Sequence, residues 1–271
     1  MLKQRVMTAL ILFPITIAGI LLLPGDIFSW AVLAILMLAG WEWTRITGMT
    51  NRSMRVVVLL AMAVLAWLLE IHLQALAIPL IGVGVIFWGT MVALLPFYQG
   101  SDSVAGPRWQ LPLRASMFIV ILAAWLSYSS LHELNPAYVL YLVVLSVVAD
   151  TAAYFSGKRF GKQKLAPAIS PGKTREGLLG ALAAVALLSL VASWYFGLGV
   201  IGTVYLMLLT LLTALVSVVG DLYVSLMKRE SGKKDSGSIL PGHGGILDRA
   251  DSHIATAPVF TLGLLWWQGL I

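Results

Sequence analysis

Between Ser225 and Asp251 the chain reads SLMKRESGKKDSGSILPGHGGILDRAD, which sets cations, carboxylates and a glycine-rich turn between two strongly apolar runs. That mixture suits an oligophosphate. Glycine frees main-chain N–H groups to point at anionic oxygens, while Lys228, Arg229, Lys234 and Arg249 neutralise charge. The carboxylates beside them, Asp235, Asp248 and Asp251, repel such an anion unless a divalent cation sits between.

Asp150, Asp221, Asp248 and Asp251 each stand where an apolar run meets a basic loop. A carboxylate there is costly, and it usually faces a wet cavity or a partner. Asp221, Ser225 and Lys228 are spaced i, i+4, i+7, so they share one face if the helix after Gly220 continues into the loop. Asp248, Asp251 and Ser252 repeat that arrangement at the start of the last apolar run, and the two carboxylate-bearing faces together form a candidate cation cage. Helix capping by Asp248 or Asp251, with Arg249 as a local partner, accounts for one acid near a helix start. It does not account for acids on two segments accompanied by lysines. Asp150, Tyr154 and Lys158 form a further stripe, in which an internal Asp–Lys pair competes with ligand contact.

The segment Ser170 to Gly177, SPGKTREG, contains Gly-Lys-Thr but is not a Walker A loop. Pro167 occupies the position of the required first glycine, and a helical membrane protein is expected to lack the preceding strand. What remains is Ser170, Lys173, Thr174 and Arg175 just ahead of a helix N-terminus, which favours anions. His243, between Gly242 and Gly244, is a candidate contact to a phosphate or base, with a turn histidine of no function as the alternative.

These residues must be positioned by membrane-spanning helices. Of the 271 residues, 59% are hydrophobic and 11% charged, and the mean hydropathy is +0.92, which excludes a soluble domain. Apolar runs fall at roughly 6–23, 27–44, 56–71, 74–95, 112–131, 136–155, 177–196, 199–220 and 252–270. Each is long enough to cross a hydrocarbon core of about 30 Å. The expectation is an all-α polytopic protein of about nine transmembrane helices in one domain, with N-terminal helices over 1–131 and a catalytic half over 136–271. The short connections around Glu70–His72 and Phe196–Thr203 leave the count open by one.

All 18 lysines and arginines fall at 3–5, 45–55, 108–114, 158–175 and 228–249, in alternate connections. The positive-inside rule makes these segments cytoplasmic, places the N-terminus inside and fits an odd number of spans. Trp30, Trp43, Trp67, Trp194, Trp266 and Trp267 lie near span ends and are expected to sit at headgroup depth. The first apolar run has no cleavage site after it and is read as a retained helix. With no cysteine, thiolate nucleophiles, thiolate metal sites and disulfides are excluded. Loops 156–176 and 221–251 hold eleven of the 18 basic residues. Attraction to acidic headgroups accounts for Lys162 and Lys164, but less well for Lys233 and Lys234, which run straight into Asp235 and the glycine turn.

The C-terminal block resembles the signature of the phosphatidate cytidylyltransferase (CDP-diacylglycerol synthase) family. The matching positions are Ser225, Lys228, Arg229, Lys234, Asp235, Gly237, Leu240, Pro241, His243, Gly244, Gly245, Asp248, Arg249 and Asp251. Ala250 departs from the larger apolar residue or Thr usual there. DTAAYFSGKRFG from Asp150 and the SPGKTREG loop extend the likeness over roughly the C-terminal half.

The resemblance implies transfer of a cytidylyl group from CTP to phosphatidate, giving CDP-diacylglycerol and pyrophosphate. It implies Mg2+ as cofactor, with a monovalent cation as an accompanying option, and a homodimer in a bacterial inner membrane with its site facing the cytoplasm. No nucleic acid partner is expected. On this reading Asp221 and Asp248 are the principal metal ligands with Asp251 as a further one. Lys173, Lys228, Arg229, Lys234 and Arg249 hold phosphates, and Ser225 orients one of them. Asp150, Ser170, Asp235, His243, Gly244 and Gly245 complete the substrate-binding set. A CTP-dependent lipid kinase and an anionic-solute transporter are the alternatives.

Overall fold

The computed structural model describes residues 2–98, 107–237, 239 and 244–270. The apolar runs fold as nine helices among these residues: α1 (Leu2–Leu22), α2 (Gly25–Ile46), α3 (Arg52–Ile71), α4 (Ala77–Leu94), α5 (Pro107–Leu134), α6 (Pro136–Phe160), α7 (Arg175–Tyr195), α8 (Val200–Glu230) and α9 (Leu247–Trp267). Backbone groups in hydrocarbon must be satisfied internally, so continuous helix is the form such runs take. Seven of the described helical segments, from α2 through α8, are long and apolar enough to cross a membrane.

α9 is not among the seven because its first turns carry Asp248, Arg249, Asp251 and His253. Its polarity is tolerated for a visible reason: it packs against α2, α4, α5, α6 and α8, so protein rather than lipid surrounds it. Asp251, Ser252, Thr256 and Thr261 on α9 are all buried. α9 therefore joins the N-terminal helices to the C-terminal ones. It meets α8 closely at Gly220, where an added Cβ would overlap the Asp251 carbonyl oxygen and lie 2.6 Å from the Ala255 Cβ. Small residues at such crossings let helix backbones meet in a membrane.

α8 has 31 residues and is about 46 Å long at 1.5 Å per residue. A core of about 30 Å accommodates only its first two-thirds. Past that length the helix continues unbroken and carries Asp221, Ser225 and Lys228 on successive turns, as the spacing requires, with Arg229 beside Lys228.

Two expectations are corrected. Trp43 is fully buried, with its indole N–H donating to the Leu113 carbonyl at 2.8 Å, because α2 turns this side chain onto α5 and away from water. The other five tryptophans expected at span ends are between 39% and 83% exposed. The loop after α6 is also not wholly irregular: β1 (Lys164–Ala166) and β2 (Ser170–Thr174) form an antiparallel hairpin, pairing Lys164 with Thr174 and Ala166 with Ser170. SPGKT is therefore itself a strand running straight into α7, and still not the loop after a strand that a Walker A site needs.

Candidate active site

Lys173 is delivered by the hairpin. Thr174 ends β2 and caps α7, its hydroxyl accepting the Gly177 N–H at 3.1 Å. Glu176, in the first turn of α7, accepts the N–H groups of Lys162 (3.0 Å) and Gln163 (3.2 Å) and so ties the base of the hairpin to the helix. α7 lies against α6 through Gly177, where an added Cβ would meet the Ala153 carbonyl at 2.9 Å. The hairpin is held against α8 by Arg229, whose Nε donates to the Ile169 carbonyl at 3.3 Å. The outcome is an ion pair between Lys173 Nζ and Asp221 Oδ2 at 2.6 Å. Ser225 Oγ donates to the other oxygen, Oδ1 of Asp221, at 3.1 Å, one helical turn away.

A second pair lies between α8 and α9. Lys228 Nζ stands 2.7 Å from Asp248 Oδ1, with the two side chains only 15% and 12% exposed. Asp248 Oδ2 accepts the backbone N–H of Ser236 at 2.9 Å and that of Gly245 at 3.1 Å. Gly244 has φ +82°, a left-handed conformation that glycine adopts without Cβ strain, and it turns the chain back so that Gly245 presents its N–H inward. Asp248 is thus held by one ammonium and two main-chain donors, a charge-assisted arrangement that keeps it ionised.

The two pairs belong to one charge system. Asp251 is 8% exposed, accepts the Ser252 N–H at 2.7 Å on Oδ1, and lies within electrostatic reach of Asp221, Lys173 and Lys228. Asp150, on α6, lies within reach of Lys173, Asp221 and Arg249. Residues from α6, β2, α8 and α9 therefore converge at one end of the bundle.

Not every expected residue joins them. Among the described residues no three acidic or histidine side chains form a ready metal cluster, so Asp221, Asp248 and Asp251 are not a preformed cage. Asp248 is turned toward Lys228 and the loop N–H groups instead. Arg229 is engaged by the hairpin carbonyl. Lys234 and Asp235 are exposed and make no hydrogen bond or ion pair with the described residues. His243, Leu240 and Pro241 lie outside the described residues.

Of the other residues at this end, Lys233 was noted in the sequence, while Glu42, Arg114 and Tyr98 were not singled out. Glu42 on α2 is 2% exposed and accepts both the Ser236 hydroxyl and the Leu247 N–H at 2.9 Å on Oε2. Its signal was present: a carboxylate at the end of an apolar run beside a basic loop, the criterion that picked out Asp150 and Asp221. Lys233 Nζ donates to the Arg45 carbonyl at 2.9 Å, and Arg114 Nη2 to the Thr47 carbonyl at 2.8 Å. These cations satisfy carbonyls freed at the C-terminal end of α2. Burial, followed by the positive charges of Arg45 and Arg55, lowers the Lys233 ammonium pKa below its usual value. Tyr98 donates its hydroxyl to the buried Glu230 carboxylate at the end of α8.

Comparison with known proteins gives relatives over nearly the whole chain. Over 272 residues the chain is 42% identical to the phosphatidate cytidylyltransferase of Pseudomonas aeruginosa, covering 99% of this chain and 98% of that protein. It is 34% identical to the Haemophilus influenzae protein of the same name, covering 96% and 98% respectively. The Bacillus subtilis phosphatidate cytidylyltransferase is 43% identical over 129 residues, about half of each chain. The family match itself runs over residues 3–266, through the hairpin, both ion pairs and the N-terminal helices, and the chain belongs to the cytidylyltransferase family.

Proposed function

We propose that this protein transfers the cytidylyl group of CTP to phosphatidate, releasing pyrophosphate and leaving CDP-diacylglycerol in the membrane. The observation that carries the reading is the meeting of the Lys173–Asp221 and Lys228–Asp248 pairs along the C-terminal third of α8. An oxygen of the phosphatidate phosphate attacks the α-phosphorus of CTP. The new P–O bond forms as the bond from that phosphorus to the bridging oxygen breaks, and pyrophosphate leaves with the electron pair. The lipid phosphate already carries its attacking anion, so no protein nucleophile or general base is needed.

The residues act by position and charge. With triphosphate bound, Lys173 and Lys228 are drawn from their carboxylates to phosphate oxygens, where they offset the charge moving onto pyrophosphate. Arg249, within electrostatic reach of Asp150, and the exposed Lys234 are placed to meet the same anion. Ser225 has a hydroxyl one turn from Asp221 with which to orient a phosphate.

The carboxylates released by the lysines are hard oxygen donors of the type that fits Mg2+. Asp221 and Asp251 would hold the ion, since Asp251 spends only one oxygen on a backbone N–H, with Asp248 joining once Lys228 has moved. When bound, Mg2+ neutralises triphosphate charge. The substrates fit the location, because phosphatidate arrives laterally in the leaflet and CTP from solution. With all basic segments in alternate connections, that solution is the cytoplasm, and the family resemblance makes the membrane a bacterial inner membrane. The homodimer rests on the family resemblance alone.

The test is to incubate purified protein with Mg2+, phosphatidate and CTP labelled at the α-phosphate. Label in the lipid fraction with equimolar pyrophosphate supports the reaction. Release of CDP with γ-phosphate on the lipid would identify a kinase instead.

A further inference from the structure

We propose that Glu42 is the positioning residue that fixes the segment between α8 and α9 and, through it, the Asp248 carboxylate. The inference rests on the reading that Asp248 belongs to the reaction site.

α9 begins behind Ile246, whose apolar side chain cannot accept a hydrogen bond from the exposed N–H groups of the first turn. Glu42 supplies the acceptor from another helix: its Oε2 takes the Leu247 N–H at 2.9 Å and places negative charge at the positive end of α9. The same oxygen takes the Ser236 hydroxyl at 2.9 Å, 194 residues away in sequence. Ser236 then reaches the other way, its N–H donating to Asp248 Oδ2 at 2.9 Å, where the Gly245 N–H joins it at 3.1 Å. Ser236 on one side and Gly245 to Leu247 on the other thus each touch both carboxylates.

The glycines follow from this geometry. A Cβ on Gly237 would overlap Glu42 Oε1, and one on Gly245 would overlap both Glu42 Oε2 and Ser236 Oγ. The backbone closes directly onto the Glu42 carboxylate, which only residues without a side chain allow. Glu42 Oε1 is buried and makes no hydrogen bond with the described residues. The bonding to the described residues is therefore carried by one oxygen, a position that an amide oxygen also fills, though without the charge.

The experiment uses the full-length enzyme with the variants E42A, E42Q, S236A and D248N. Initial rates are measured at varied CTP and phosphatidate, with gel filtration in detergent to quantify folded protein. Folded E42A is expected to lose ~10- to 100-fold in kcat, the range typical when the support of a site carboxylate is removed. Both KM values should be little changed, since binding groups stay in place. E42Q should recover most of that loss. If E42A does not fold, S236A carries the test. It removes one bond to Glu42, keeps the N–H on Asp248 and should lower kcat several-fold. Folded E42A or S236A turning over at the wild-type rate, or E42Q as slow as E42A, overturns the proposal. D248N separates the two readings: retained turnover there removes Asp248 from the reaction, whereas its loss beside an undisturbed E42A sinks the clamp alone.

Discussion

Replacing Asp248 by asparagine is the perturbation that the site geometry constrains most tightly. Asp248 accepts Lys228 on Oδ1 and two backbone N–H groups on Oδ2. An amide at this position keeps a single acceptor oxygen. Left on the two N–H groups, it turns its NH2 toward the Lys228 ammonium; flipped, it turns that NH2 onto the N–H groups of Ser236 and Gly245. Either way at least one charge-assisted bond is lost, costing about 1.5–3 kcal/mol, and two donors face each other. With side chains 15% and 12% exposed, solvent does little to relieve this. Once Lys228 has moved to phosphate the amide also offers one oxygen fewer to the metal, and a cost of this size in the state that turns over lowers kcat ~10- to 100-fold at about 1.4 kcal/mol per tenfold. The assay follows label from CTP into lipid at saturating substrates and Mg2+, for wild type, D248N, K228M and the double variant. The two single losses should not add in the double variant, because both residues act on the same metal-bound triphosphate and exchange their contact with each other for it. Additive losses, or D248N within about twofold of wild type, would refute the reasoning, since a shared contact implies coupling of ~0.5 kcal/mol or more.

Further outcomes follow from the same contacts. D221N should abolish transfer while leaving expression and insertion intact, and turnover retained at saturating Mg2+ would show that Asp221 is not a ligand. Chelation should stop transfer of label and added Mg2+ restore it; full activity in chelator counts against any divalent ion. G220A forces α8 and α9 apart where the new Cβ would overlap the Asp251 carbonyl, and overpacking of this kind costs about 1–3 kcal/mol. Unfolding in detergent should detect this, against G82A as a control, where nothing lies within 4 Å of the added Cβ.

The helical architecture was legible in the sequence because each span must satisfy its own backbone, which makes apolar runs and helices coincide. The stripe of Asp221, Ser225 and Lys228 was legible for a related reason: helical spacing is local, and α8 continues to Glu230. Trp43 was misjudged because position near a span end does not reveal whether lipid or protein surrounds it. The hairpin was missed because its three- and five-residue strands hold too few residues for a period-two pattern.

Residue types and their distribution along the chain by themselves determined a membrane-embedded helical protein, a basic face and a region rich in phosphate-binding chemistry. Which carboxylate meets which lysine, the enclosure of polar α9 by other helices, and the hold of Glu42 on a loop 194 residues away were decided only by tertiary structure. The physical reason is range: hydropathy and helical period act over a few turns, while ion pairs and caps between helices depend on how whole helices pack.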